Sequence, residues 1–102
     1  MKRRVVLRAD AARSIGFGHF VRTMALAAYL SRDFDCRVAS FNPDLLRISD
    51  YQLGLIAEAS ATPLHLEAAD RDAYDAAFAC ELKEFLVELG ILWTEYEADV
   101  HD

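Results

Sequence analysis

The hydrophobic pattern along the chain alternates between short apolar runs and longer amphipathic stretches. Lys2 to Arg8 contains Val5, Val6 and Leu7, a brief run with two β-branched residues, as in a strand covered on both faces. Ala11 to Gly18 has no period and reads as a loop. His19 to Arg32 predicts a helix. Phe20, Val21, Met24, Ala25, Leu26, Ala28, Tyr29 and Leu30 leave it so little polar surface that it is expected to be largely buried. Cys36 to Phe41 predicts a second strand. After it, Asn42 suits an N-cap, Pro43 a first helical position and Asp44 the positive helix end, which predicts a helix from about Pro43 to Ala59. Leu45, Ile48, Gln52, Leu55 and Ala59 form its stripe, and Gly54 weakens it by about 1 kcal/mol relative to alanine. Pro63 to Leu66 predicts a short third strand. Asp70 or Asp72 can cap a third helix carrying Tyr74, Phe78, Leu82, Phe85 and Leu89, with Gly90 as its stop. Ile91 to Tyr96 fits either a strand or a continuation of that helix.

The order β-α-β-α-β-α predicts an α/β fold, a three-layer Rossmann-like parallel sheet with right-handed crossovers, in a single domain over residues 1–102. Ligands of such sheets bind beyond the carboxyl ends of the strands. The loop after the first strand is therefore the first place to look for chemistry.

Charge and composition narrow the field. The chain has 102 residues, 54% of them hydrophobic and 27% charged, with a net charge of −6. That balance supports a globular core and argues against non-specific nucleic-acid binding. Lys2, Arg3, Arg4, Arg8, Arg13 and Arg22 nevertheless cluster in the first part of the chain, so a local anion site there stays open. The start MKRRVVLRADA is a poor signal peptide, because its apolar run is short and Arg8 and Asp10 follow at once. No segment approaches the roughly 20 apolar residues that span a bilayer. Cys36 and Cys80 sit in apolar patterns and are expected to be buried free thiols, and the cytoplasm is the expected location.

The loop itself reads IGFGHFVR, Ile15 to Arg22. The dinucleotide fingerprint needs a third glycine where Val21 stands, and a phosphate-cradling P-loop needs a lysine after Gly18, where His19 stands. What remains is a helix N-terminus behind two glycines. Gly16 and Gly18 admit positive φ and close approach, and the first helical amides favour negative charge. His19 stands at the mouth, with Arg22 one turn on and on roughly the same side. Helix dipole and arginines oppose protonation of the imidazole, which suits it to act as a general base. Asp10 and Arg8, at the end of the first strand, can hold loop amides or a ligand hydroxyl. A plainer reading also fits these residues: Gly16 and Gly18 shape a turn, His19 caps it, and Asp10 pairs with an arginine. His19, His65 and His101 lack ligand-like spacing, so no metal is implied, and His65 reads as a strand or rim residue.

The run RADAARSIGFGHFVRTMALA resembles the amino-terminal signature of a nucleotide-sugar hydrolase family. Its best-known members are the UDP-2,4-diacetamido-2,4,6-trideoxy-β-L-altropyranose hydrolases of pseudaminic acid biosynthesis, with relatives in spore-coat and other surface polysaccharide pathways. The family pattern is close to R-x-D-[AS]…I-G-x-G-H-x-x-R…L-A. Arg8, Asp10, Ala11, Ile15, Gly16, Gly18, His19, Arg22, Leu26 and Ala27 stand in those places. The resemblance implies part of the amino-terminal domain of a GT-B fold, and hydrolysis of a UDP-amino-sugar to free sugar and UDP without a cofactor. It implies that His19 is the catalytic base, that Gly16, Phe17 and Gly18 face the sugar diphosphate, and that Arg8, Asp10 and Arg22 are substrate-side or supporting residues.

Length is the main departure from that family. A GT-B enzyme needs two Rossmann-like domains, and 102 residues supply about half of the first, so the resemblance is expected to cover the amino-terminal part alone, without the carboxy-terminal nucleotide-binding domain. The family's further strand ends in D-H-Y-G or similar. Here the region reads EYEADVHD, where Asp99 or Asp102 would be its remnant. Three parallel strands leave an open edge, which a second copy or a separately encoded carboxy-terminal half would cover. Trp93 reads as core, and it or Tyr96 can also contribute to such a contact. Two readings of different class follow: a nucleotide-sugar hydrolase or its amino-terminal subunit, and a non-catalytic truncated paralogue that binds a sugar, an anion or a protein.

Overall fold

The computed structural model describes residues 2–12, 16–43, 45 and 47–88. Its elements run β1 (Arg3–Arg8), α1 (Gly18–Leu30), β2 (Phe34–Ala39), α2 (Asp50–Glu58), β3 (Thr62–Pro63) and α3 (Arg71–Glu88). The three strands form one parallel sheet in the order β1-β2-β3. Arg3 pairs with Phe34 and Arg8 with Ala39, so β1 and β2 match along their whole length. The α/β expectation with a parallel sheet therefore holds. The expected Gly90 stop, the segment Ile91 to Tyr96, Leu89, Trp93, Asp99, His101 and Asp102 lie outside the described residues, as do Ile15 and Arg13 in the loop.

Strand alternation distributes the core to two faces. Val38 joins Phe20, Met24 and Ala27 of α1 and Ile56 of α2 in one cluster, with Ala9 and the half-buried Leu7 beside them. Ala39, one residue on, turns the other way and packs with Phe41 and Tyr74, flanked by Phe78 and Leu64. Thus α1 and α2 share one face of the sheet, and the first turns of α3 cover the other. Among the described residues no helix is long and apolar enough to cross a membrane.

Four expectations need correction. The second helix does not begin at Pro43. Ser49 is its N-cap, with its hydroxyl accepting from the Gln52 amide and the Gln52 side chain returning to the Ser49 amide. This reciprocal box outcompetes the Asn42-Pro43 start because Asn42 is buried and spent elsewhere. Its side-chain amide faces that of Gln52, each donating to the other's oxygen, while Gln52 also donates to Ser40. Next, α1 is not largely buried. Phe20, Met24 and Ala27 face the sheet, whereas Val21, Leu26 and Tyr29 are exposed, since one sheet covers only one stripe of a helix. Third, Cys36 is buried as expected, but Cys80 is exposed, on the side of α3 turned away from Tyr74 and Phe78. Finally, β3 is shifted and shortened to Thr62–Pro63, with only Arg37 and Val38 as partners.

Candidate functional site

The loop after β1 is pinned at both ends. The ladder with β2 continues past the strand, as the Ala9 amide donates to Ala39 O at 3.0 Å and that of Ala11 to Phe41 O at 3.3 Å. Ala12 then bridges to Gly16, with the Gly16 amide donating to Ala12 O at 2.6 Å. Gly16 stands at φ +74°, a conformation that side chains with a Cβ rarely adopt. Of the two glycines it is the one that backbone geometry requires.

Phe17 follows as the N-cap of α1 and offers no side-chain cap, and the first turn of the helix contains no acidic residue. The other two helices differ. α2 has its capping box, and α3 has Asp70, whose Oδ1 accepts from the Ala73 amide at 2.8 Å. The positive end of α1 is therefore the one that lacks a carboxylate or hydroxyl from its own sequence. His19 is exposed in its first turn and does not cap it, which removes that part of the plainer reading. Its carbonyl accepts from Thr23 Oγ1 at 2.9 Å. Among the described residues the imidazole has no hydrogen-bond partner. Arg22 lies back along the helix: a Cβ built on Gly18 would stand 3.6 Å from Arg22 Nη1. A cation thus lies beside the first helical residue. The Phe17 ring leans edge-on against Tyr51 of α2 at 5.7 Å, both rings open to solvent, so the first turn of α2 forms the neighbouring wall.

Arg8 and Asp10 belong to a different constellation. Their parity along β1 turns them to the face covered by α3. Arg8 pairs with both Asp10 oxygens at 3.0 Å and with Asp75 Oδ1 at 2.6 Å. Its guanidinium lies 5.1 Å from the Tyr74 ring centre and 5.2 Å from that of Phe78. Asp10 Oδ1 also accepts from the Phe41 amide at 3.1 Å. Burial opposes the Arg8 charge, but the hydrogen bonds and negative charge of Asp10 and Asp75 outweigh it and raise the guanidinium pKa. Burial also pushes the Tyr74 phenol up to about 12, against the pull of the Arg8 charge. The expected pairing of Asp10 with an arginine is therefore present, and it ties β1, the end of β2 and α3 together.

Of the sequence-selected residues, Gly16, Phe17, Gly18, His19 and Arg22 come together at the start of α1, while Arg8 and Asp10 brace the sheet beneath. The partners of Arg8 were hidden in the sequence because Tyr74 and Phe78 carry ordinary core spacing. The Ser40–Asn42–Gln52 network did have a signal, the Ser-x-x-Gln of a capping box at Ser49. Compared with protein-family models, with curated proteins and with solved structures, the chain matches none of them.

Proposed function

We propose that this chain is the amino-terminal part of a nucleotide-sugar hydrolase of Rossmann-like, GT-B-type architecture. It would act on a UDP-amino-sugar in surface polysaccharide or nonulosonic acid biosynthesis, in the cytoplasm. The observation that supports this reading is the start of α1, where an exposed His19, an uncapped helix end and the Arg22 guanidinium beside Gly18 meet. A diphosphate suits such an end, because helical amides and a nearby cation stabilise negative charge. In the hydrolysis, water attacks the anomeric carbon and loses a proton to the His19 imidazole. The bond from that carbon to the diphosphate oxygen breaks, and UDP leaves with the electron pair.

The imidazole has no orienting partner among the described residues, which favours a complementary half, in a second copy or a separate carboxy-terminal domain, supplying the opposite wall. The same observation, together with the commitment of Arg8 and Asp10 to the α3 face, supports the second reading, a non-catalytic module for a sugar, an anion or a protein.

UDP release from a UDP-amino-sugar, measured with the chain alone and with a carboxy-terminal half, separates the two. The first reading expects turnover that His19→Ala abolishes while the circular dichroism spectrum stays unchanged. Full activity in that variant overturns the catalytic assignment, and no turnover under either condition leaves the binding module.

A further inference from the structure

Beyond the carboxyl ends of β2 and β3 lies a cavity of about 370 Å³ that none of the glycine-loop residues line. Its walls are Ser40 at the end of β2, Arg47 ahead of α2, the segment Leu64 to Ala68 after β3, and Tyr74 of α3. An adjoining hollow of about 610 Å³ reaches the start of α2 and shares Arg47 and His65 with it. Both volumes fall in the range of small-molecule sites, and strand carboxyl ends are where parallel sheets place ligands.

Three features point to an occupant. Tyr74 is 5% exposed, and its hydroxyl has no well-formed hydrogen bond, although the Ser40 main chain lies against it. Buried hydroxyls are normally satisfied, so this one is an unused donor at the base of the cavity. Arg47 is exposed and makes no ion pair among the described residues. Its backbone is fixed, because the Arg47 carbonyl accepts from Asn42 Nδ2 at 2.6 Å and Asn42 is held by the buried Gln52 and Ser40. A satisfied buried network of this kind rigidifies what it bonds, and besides capping α2 it ties the Arg47 main chain beside the cavity. The rest of the lining alternates apolar Leu64, Leu66 and Ala68 with His65 and Glu67.

We infer that this cavity binds a small hydroxylated anion, a phosphorylated or carboxylated monosaccharide. Arg47 holds the acid group through its planar fork. Glu67 accepts from ring hydroxyls, the leucines cover the carbon-bound face, and the Tyr74 hydroxyl donates directly or through one water. The inference does not depend on hydrolysis at His19, because its readout is binding of a molecule with no nucleotide to release.

The test is a titration followed by backbone amide resonances, with glucose 6-phosphate, glucuronate, glucose and inorganic phosphate as probes. Saturable shifts are expected for at least one of the two acidic sugars at Ser40, Arg47 to Asp50 and Leu64 to Ala68, and the stronger of the two identifies the acid group. Glucose and inorganic phosphate are expected to bind at least about tenfold more weakly, the equivalent of losing one charged or several neutral contacts. Arg47→Gln, a surface change compatible with folding, should weaken the acidic sugar about tenfold, and Tyr74→Phe severalfold. The inference is overturned by undiminished affinity in Arg47→Gln, by shifts confined to Gly16 to Arg22, or by no saturation below about 10 mM of either acidic sugar.

Discussion

Replacing Arg8 with methionine keeps an unbranched stem between the Tyr74 and Phe78 rings and removes the guanidinium. The variant loses two hydrogen bonds to Asp10, one to Asp75 and two ring contacts. Asp10 keeps only the Phe41 amide, but its side chain is 22% exposed, so water recovers part of the loss. Breaking a fully buried pair costs about 3–5 kcal/mol, and partial access to water brings the Asp10 share to roughly 2. Asp75, 47% exposed, is released to water and contributes below about 1 kcal/mol. Each ring contact adds about 0.5 kcal/mol. The expected total is about 3 kcal/mol, a large share of the stability of a small domain. Urea unfolding followed by circular dichroism measures it, with the slope required to stay constant. Arg8→Lys, which keeps the charge and loses the fork, should fall in between, and Asp75→Asn should cost below about 1 kcal/mol. A cost under about 0.5 kcal/mol for the methionine variant would refute the argument, because that is the signature of a solvated surface ion.

Four further outcomes are expected. Gly54 is exposed in the middle of α2 with open space where a Cβ would stand, so Gly54→Ala should raise stability by about 1 kcal/mol in the same unfolding assay. Gly16→Ala should lower it by about 1–2 kcal/mol through its positive φ, whatever the role of the loop. Gln52→Leu should cost about 2–3 kcal/mol, because it removes the Gln52 bonds to Asn42 and Ser40 and undoes the capping box while Asn42 keeps Arg47 O and Ser40 Oγ, whereas Ser49→Ala should cost about 1. Tyr74 ionises in the unfolded chain near pH 10 and in the folded one near 12, so its contribution is complete below about pH 10 and lost as pH rises to 12. Unfolding across that window should show a fall in stability that Tyr74→Phe reduces.

The parallel sheet and the placement of His19 were legible because they rest on local signals: a β-branched run, a glycine pair and a helical stripe. The start of α2 is not decided locally, because Asn42-Pro43 carries the same capping vocabulary as Ser49 to Gln52, and only burial decides between them. Locally Asp10 marks Arg8 as an ion-pair partner, but nothing local shows its tie to α3, since Asp75 is 67 residues away and its pairing follows from the parity of β1 against α3. The exposure of Val21, Leu26 and Tyr29 escaped for a related reason. Apolar content predicts how much a helix can bury, and the number of neighbouring layers decides how much it does.

The two-residue β3 has a consequence for the order in which the domain comes apart. β1 and β2 share a six-residue ladder and α1 packs across both, whereas among the described residues from Thr62 onward two are paired in the sheet. Among the described residues α3 is held by side chains, chiefly the cluster of Tyr74 and Phe78 with Ala39 and Phe41 and the Arg8 brace. In hydrogen-exchange terms the molecule divides into a slow unit, β1–α1–β2, and a faster one beginning at β3 that opens as a body while the first stays folded. The amides of α3 are then expected to exchange together, at a rate that loss of the Arg8 brace raises.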